Sequence, residues 1–103
     1  MKIAAVTTDQ IIIIDGVVAH LREIGGFQMG NGEWAVHFNE ELGYGHIEYT
    51  DSRDNRNIDA AEFQVHYAWL KDEHQRYLDH QAAEAAANEP DPISEPGGDS
   101  GSV

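Results

Sequence analysis

The sequence predicts an α+β domain in which an antiparallel sheet of four to five strands packs against one long C-terminal helix. Three observations support this class. Residues 32–51 contain two segments with alternating apolar and polar residues, joined by a connection that contains glycine, which is the pattern of a β-hairpin. Asp15 and Gly16 form a tight-turn signal between two short apolar runs. From residue 59 to residue 87, no proline or glycine interrupts a run with helical spacing.

The first part of the chain predicts three strands that form a meander. Residues 2–8 form a strand pattern in which neither face is strongly polar, residues 11–14 are four consecutive isoleucines, and residues 17–21 are again largely apolar. The isoleucine run is typical of a strand that is covered on both faces, because β-branched side chains favour strands. Asp15–Gly16 connects the second strand to the third, since both residue types tolerate a positive φ.

The central hairpin holds the strongest strand pattern in the chain. Trp34, Val36 and Phe38 share one face of its first strand, and Ile47 and Tyr49 share one face of its second strand. Because this segment is rich in aromatic residues, we expect the other elements to pack on it.

Two stretches beside this hairpin predict connections. Residues 23–32 carry four glycines, which indicate a loop or a bulged edge strand. Residues 51–57 are polar and predict a turn region before the helix.

A single long helix is predicted for residues 59–87. Asp59 at the N-cap with Glu62 three residues later resembles a capping box. The large side chains that recur at helical spacing are Phe63, Tyr67, Leu70, His74, Tyr77 and Leu78. Beyond Leu78 the residues favour a helix but have little to bury, so we expect the helix to project from the sheet there.

The chain therefore predicts one domain, residues 1–87, with its sheet in residues 2–58. An acidic disordered tail is predicted for residues 88–103. Nine of these sixteen residues are Gly, Pro or Ser, four are acidic and none is basic. Such a composition cannot bury enough apolar surface to fold.

The charge of the chain excludes several classes of partner. Six Lys and Arg stand against nineteen Asp and Glu, a net charge of −13. Direct binding of nucleic acid is disfavoured, because that affinity comes from basic residues that neutralise phosphates. The longest apolar run, residues 11–14, is too short to span a bilayer. The N-terminal residues do not have the pattern of a signal peptide.

No residue pattern predicts an enzyme or a cofactor. Without cysteine, disulfides and thiolate metal sites are excluded. Glu62 with His66, and His80 with Glu84, stand four residues apart on the predicted helix, but the two pairs are about four to five turns apart. A metal site needs three or four converging ligands, so the sequence predicts none. Nucleophile motifs are also absent.

Two sets of residues are candidates for contact with another molecule. Aromatic residues could anchor a protein partner, although most of them are expected to build the core. They are Trp34, Phe38, Tyr44, Tyr49, Trp69 and Tyr77. Acidic residues along the predicted helix could be spaced like phosphates. They are Asp59, Glu62, Asp72, Glu73, Asp79 and Glu84.

Four short motifs carry a resemblance. They are IDGV at residues 14–17, WAVHF at residues 34–38, GHIEYTD at residues 45–51, and Asn57-Ile58. This pattern resembles small proteins encoded beside the tail-fibre genes of tailed bacteriophages. Those proteins more often have Gln-Trp in place of His37-Phe38 and Glu in place of His46. The resemblance implies no catalytic residues and an accessory role in the virion or in tail assembly, made through protein contacts.

Two functional hypotheses follow. The first is a non-enzymatic bacteriophage protein that binds a tail or tail-fibre component or assists tail assembly, located in the virion or the host cytoplasm. The alternative is an acidic inhibitor that mimics nucleic acid and occupies a basic host protein for defence or DNA processing.

Deletion of residues 88–103 should leave the melting temperature of the domain nearly unchanged, because the predicted tail buries no apolar surface. Thermal unfolding of the full-length and shortened chains, followed by circular dichroism, measures this. A decrease of many degrees in the shortened chain would mean that the tail is docked on the domain.

Overall fold

A computed structural model describes residues 1–30 and 32–88. The strands are β1 (Lys2–Val6), β2 (Ile11–Ile14), β3 (Val17–His20), β4 (Glu33–Asn39), β5 (Tyr44–Tyr49) and β6 (Arg56–Asp59). A short 3-10 helix spans Leu21–Ile24, and the α-helices are α1 (Ala60–His66) and α2 (Trp69–Asn88). The predicted α+β class is confirmed. The predicted tail lies outside the described residues, apart from Asn88 at the end of α2.

All six strands form one antiparallel sheet in the order β3-β2-β1-β4-β5-β6. It consists of two three-stranded meanders that are joined by the pairing of β1 with β4, in which Ala5 lies opposite Val36. The sequence predicts four to five strands, and the additional strand is β6. The sequence pattern predicts a turn at residues 56 and 57, because both are polar. β6 is short and buries only Ile58, so its sequence shows no alternation of apolar and polar residues.

The Asp15–Gly16 turn has the predicted geometry. Both residues have a positive φ, 50° for Asp15 and 84° for Gly16, as a two-residue hairpin turn requires. The Asp15 carboxylate also accepts a hydrogen bond of 2.8 Å from the backbone N–H of Lys2. The turn between β2 and β3 is thereby fixed to the start of β1.

The hydrophobic core lies between one face of the sheet and the two helices. Its largest fully buried side chains are Phe63, Ile12, Leu21, Ile47, Leu70 and Val36. The rings of Phe38 in β4 and Phe63 in α1 stack with their centroids 4.3 Å apart. Burial of each such side chain contributes about 1.5–3 kcal/mol to folding, so this layer supplies most of the driving force.

The single predicted helix is in fact two helices, and this is a correction. Tyr67 has φ −133° and ψ 0° and ends α1. The change of direction allows α1 to contact β6 while α2 crosses β2 and β3. Trp69 supports the break, because its indole N–H donates a 2.9 Å hydrogen bond to the carbonyl oxygen of His66. No glycine or proline marks the position, so the sequence pattern continues through it.

The Tyr67 side chain ties this break to the sheet. It is 5% exposed, and its hydroxyl donates a 2.7 Å hydrogen bond to the carboxylate of Glu33 in β4. Burial, and then this hydrogen bond to an anion, raise the pKa of Tyr67 above its ordinary value. Burial likewise raises the pKa of Tyr77.

His74 ties α2 to the edge of the sheet. It is 6% exposed, the one buried polar or charged side chain within residues 1–30 and 32–88. Its Nε2–H donates a 2.8 Å hydrogen bond to the carbonyl oxygen of Val17 in the edge strand β3. The imidazole therefore adds a side-chain hydrogen bond to a backbone carbonyl at the start of β3 and joins α2 to the sheet.

Substitution of His74 by Leu should lower the free energy of unfolding by about 0.5–1.5 kcal/mol, because the hydrogen bond to the Val17 carbonyl is lost while the volume is roughly kept. Urea unfolding gives the value. His80→Leu is the matched control on the same helix, since His80 lies at a partly exposed position. An equal loss for both variants would contradict the role assigned to His74.

Stability should decrease above about pH 10, because a raised pKa in the folded state stabilises the fold only while the tyrosine keeps its proton. The Tyr67→Phe variant should show a shallower decrease, and Tyr77 accounts for part of what remains. Melting temperatures of the unsubstituted chain and of Tyr67→Phe between pH 8 and pH 11.5 measure how steeply the stability of each decreases with pH. Tyr44→Phe is the control, since Tyr44 is 59% exposed; a slope changed equally by both substitutions would refute the assignment.

Candidate functional site

The second face of the sheet, which we call the open face, points away from α1 and α2. Its strand positions alternate with those of the core. Aliphatic side chains occupy much of it: Ala4, Val6, Ile11, Ile13 and Val18 are only partly buried or exposed. Within residues 1–30 and 32–88, no helix or strand lies against this face.

A groove of about 370 Å³ lies on the open face near the turn between β4 and β5. Its lining includes Ala4 and Ile13 on the sheet and two strongly exposed apolar residues, Leu42 at 63% and Tyr44 at 59%. Lys2 is the one Lys or Arg in the lining. The groove therefore offers mainly apolar contact, with few charged groups to desolvate.

Three polar side chains meet beside the groove, and we call them the His–His–Glu cluster: His37, His46 and Glu48. One carboxylate oxygen of Glu48 lies 2.9 Å from Nε2 of His46 and 3.3 Å from Nε2 of His37. The two imidazole rings stack with centroids 4.9 Å apart. The side chains are 42%, 36% and 25% exposed for His37, His46 and Glu48, so solvent reaches all three.

The hairpin register brings this cluster together. His37 in β4 and His46 in β5 are direct partners across the antiparallel pair, and Glu48 follows two residues later on the same face. Gly45 is required at the adjoining position, because a Cβ there would overlap the carbonyl oxygen of His37 and come within 2.7 Å of the Phe38 Cα. The cluster thus stands on two strands in close contact, not on a loop.

Four of the six aromatic candidates pack against the core. Phe38 and Tyr77 are 4% and 7% exposed, so their rings are not presented to a partner. Tyr49 and Trp69 are partly buried against the same core. These positions follow the simpler of the two roles expected for the aromatic residues, which is to build the interior.

The other two aromatic candidates do not belong to the core cluster of the described residues. Trp34 is partly buried at a register shift in β4, and its indole N–H donates a 2.9 Å hydrogen bond to the hydroxyl of Thr8. Tyr44 is strongly exposed and lines the groove. Tyr44 is therefore the aromatic candidate that the fold leaves available on the open face.

Five of the six acidic candidates have a partner in the same chain. Asp59 caps α1 by accepting the N–H of Glu62 at 2.8 Å, which confirms the predicted cap. Glu62 forms an ion pair with Arg56, and Glu73 forms one of 2.6 Å with Arg76. The remaining three candidates are on α2. Asp79 accepts a hydrogen bond from the side chain of Gln75, and a carboxylate oxygen of Glu84 lies 3.3 Å from Nε2 of His80. Asp72 is exposed.

The His–His–Glu cluster was not among the residues that the sequence pattern singles out. The sequence pattern draws attention to the helical histidines instead, but His74 is buried, and within residues 1–30 and 32–88 the ion-pair partner of His80 is Glu84. The predicted hairpin nevertheless contains the information needed to bring His37 and His46 together. His37 and His46 lie at equal distances from the centre of the connection, so a symmetric hairpin places them opposite each other.

A second cavity, of about 470 Å³, lies on the helical side and has a mixed polar and apolar lining. Four of its ionisable groups already satisfy one another, through the Tyr67–Glu33 hydrogen bond and the Arg56–Glu62 ion pair, and His66 is the fifth. It therefore offers fewer unsatisfied groups to a ligand than the open face does.

Comparisons with protein-family models, curated proteins and solved structures found no match for this chain. The resemblance to bacteriophage proteins stays a prediction. Within residues 1–30 and 32–88, no helix has the length and apolar character needed to cross a membrane.

Proposed function

We propose that this chain is a non-enzymatic bacteriophage protein that binds another protein through its open face. The partner is a tail or tail-fibre component or a factor in tail assembly, as the resemblance implies. The observation that carries the proposal is the asymmetry of the sheet: helices cover one face, and the other presents aliphatic side chains to solvent.

Exposed apolar residues on the open face support a protein partner. Leu42, Tyr44 and Val18 are 63%, 59% and 39% exposed. Contiguous apolar surface of this kind marks interaction sites in folded proteins. A tyrosine at the margin of an apolar groove also suits the centre of an interface, where aromatic residues contribute most of the binding energy.

Charge indicates what kind of protein fits. The chain carries −13 overall, and exposed Asp15 and Glu41 directly precede the groove residues Gly16 and Leu42. Two copies of the chain would bring these negative charges together, which disfavours self-association. The open face is therefore complementary to a partner protein whose contact surface has an apolar centre and lysine and arginine at its rim.

The alternative function, mimicry of nucleic acid, receives less support from the described residues. It requires carboxylates that are free to contact a basic partner. Glu62 and Glu73 are neutralised by arginines of the same chain, and Asp59 is engaged as a helix cap. The six acidic candidates, which are divided between the cap of α1, α1 and α2, therefore do not form an unbroken row of free carboxylates.

Combined substitution of Leu42 and Tyr44 by Ala should weaken binding of the partner by roughly 5–30-fold, corresponding to about 1–2 kcal/mol of lost interface contact. The tagged chain is used to capture proteins from phage-infected cells at low and high salt, with identification by mass spectrometry. The identified partner is then purified and titrated against each variant. Val65→Ala is the control, because Val65 is 74% exposed on α1, away from the groove.

Capture of a tail or fibre protein that persists at high salt, and that the double substitution weakens selectively, would support the proposal. Capture of a basic DNA-binding protein that is released by salt and is insensitive to the double substitution would overturn it in favour of mimicry. Equal effects of the double substitution and Val65→Ala would refute the open face as the contact surface.

A further inference from the structure

We propose that the His–His–Glu cluster is a binding site for one divalent transition-metal ion of the zinc class. This differs from the expectation drawn from the sequence, which predicts no metal. It does not depend on the proposed function, because the three ligands all belong to this chain.

The distances within the cluster fit a shared cation. The possible ligand atoms of His37, His46 and Glu48 all lie within 4.8 Å of one another. Around a metal with bonds of about 2.0–2.1 Å, neighbouring ligand atoms are separated by about 3.0–3.4 Å. The two Nε2-to-oxygen distances, 2.9 Å and 3.3 Å, are close to that range. Small rotations of the imidazole rings would bring the two nitrogen atoms into the same geometry.

The scaffold holds the ligands in place before a metal binds. β4 and β5 are flanked by β1 and β6 in the sheet, so neither ligand strand is an edge. The direct pairing of His37 with His46 fixes the spacing of their Cα atoms. Ligands on paired strands lose little conformational entropy when they bind a metal, which favours affinity.

Electrostatics also favour a cation at this point. Glu48 is only 25% exposed. In the described part of the chain its ion-pair partners are the two histidines, whereas Glu40, Glu62 and Glu73 each pair with a lysine or arginine. A bound divalent ion would place positive charge directly beside the Glu48 carboxylate.

The ligand types indicate the class of metal. Two imidazole nitrogens and one carboxylate oxygen suit zinc, cobalt, nickel or iron(II), whereas calcium and magnesium prefer oxygen alone. Three protein ligands leave at least one coordination position for water or another donor. Since His37 and His46 also line the groove, that position is accessible from the surface that we assign to the partner.

The site is tested on isolated protein that carries no polyhistidine tag and has been freed of metal by a chelator. Titration with Co²⁺, followed by visible absorption, and with Zn²⁺, followed by calorimetry, should give one ion per chain. Zn²⁺ should also raise the melting temperature. His46→Gln and Glu48→Gln should each weaken the affinity at least about tenfold, since each removes one of three ligands.

His80→Gln is the matched control. It removes another histidine at 3.3 Å from a glutamate, but on a helix and without a third ligand, so the affinity should not change. Absence of saturable binding would overturn the proposal, and so would affinities that are equal in all four proteins. Circular dichroism and the metal-free melting temperature establish that each variant folds, and having two ligand variants keeps the test decisive if one does not.

Discussion

The pairing of β1 with β4 is the interaction on which the rest of the structure depends. It joins two meanders into one six-stranded sheet and places Ile3 opposite Phe38 and Ala5 opposite Val36. Because side chains alternate along a strand, a slip of one residue would exchange the two faces. The same register therefore places Phe38 in the core and the adjacent His37 on the open face.

One-sided coverage of the sheet follows from how the helices are attached. β6 leads directly into α1, and the break at Tyr67 redirects the chain so that α2 crosses β2 and β3. Two polar contacts fix this path, Tyr67 to Glu33 and His74 to the carbonyl of Val17. Both helices thereby lie on the same side, and no helix or strand of the described residues covers the aliphatic groups of the open face.

The groove and the His–His–Glu cluster are neighbours, and His37 and His46 belong to both. A divalent ion in the cluster would balance the charge of Glu48 beside the groove, and it would leave Asp15 and Glu41 to face the basic rim of the proposed partner. Docking and metal binding are thus compatible uses of one surface. The two rest on different physical properties, exposed apolar area for the first and converging nitrogen and oxygen ligands for the second.

The sequence by itself determined the α+β class, the turn at Asp15–Gly16, the central hairpin and the helix cap at Asp59, because each depends on local conformational preference or on alternation along a few residues. Only the tertiary structure decided the sixth strand, the break at Tyr67 and the hydrogen bond between His74 and Val17. These depend on partners distant in the chain. The His–His–Glu cluster lies between the two cases: its residues stand in a predictable hairpin, but only the register of β4 against β5 brings their ligand atoms within 4.8 Å of one another.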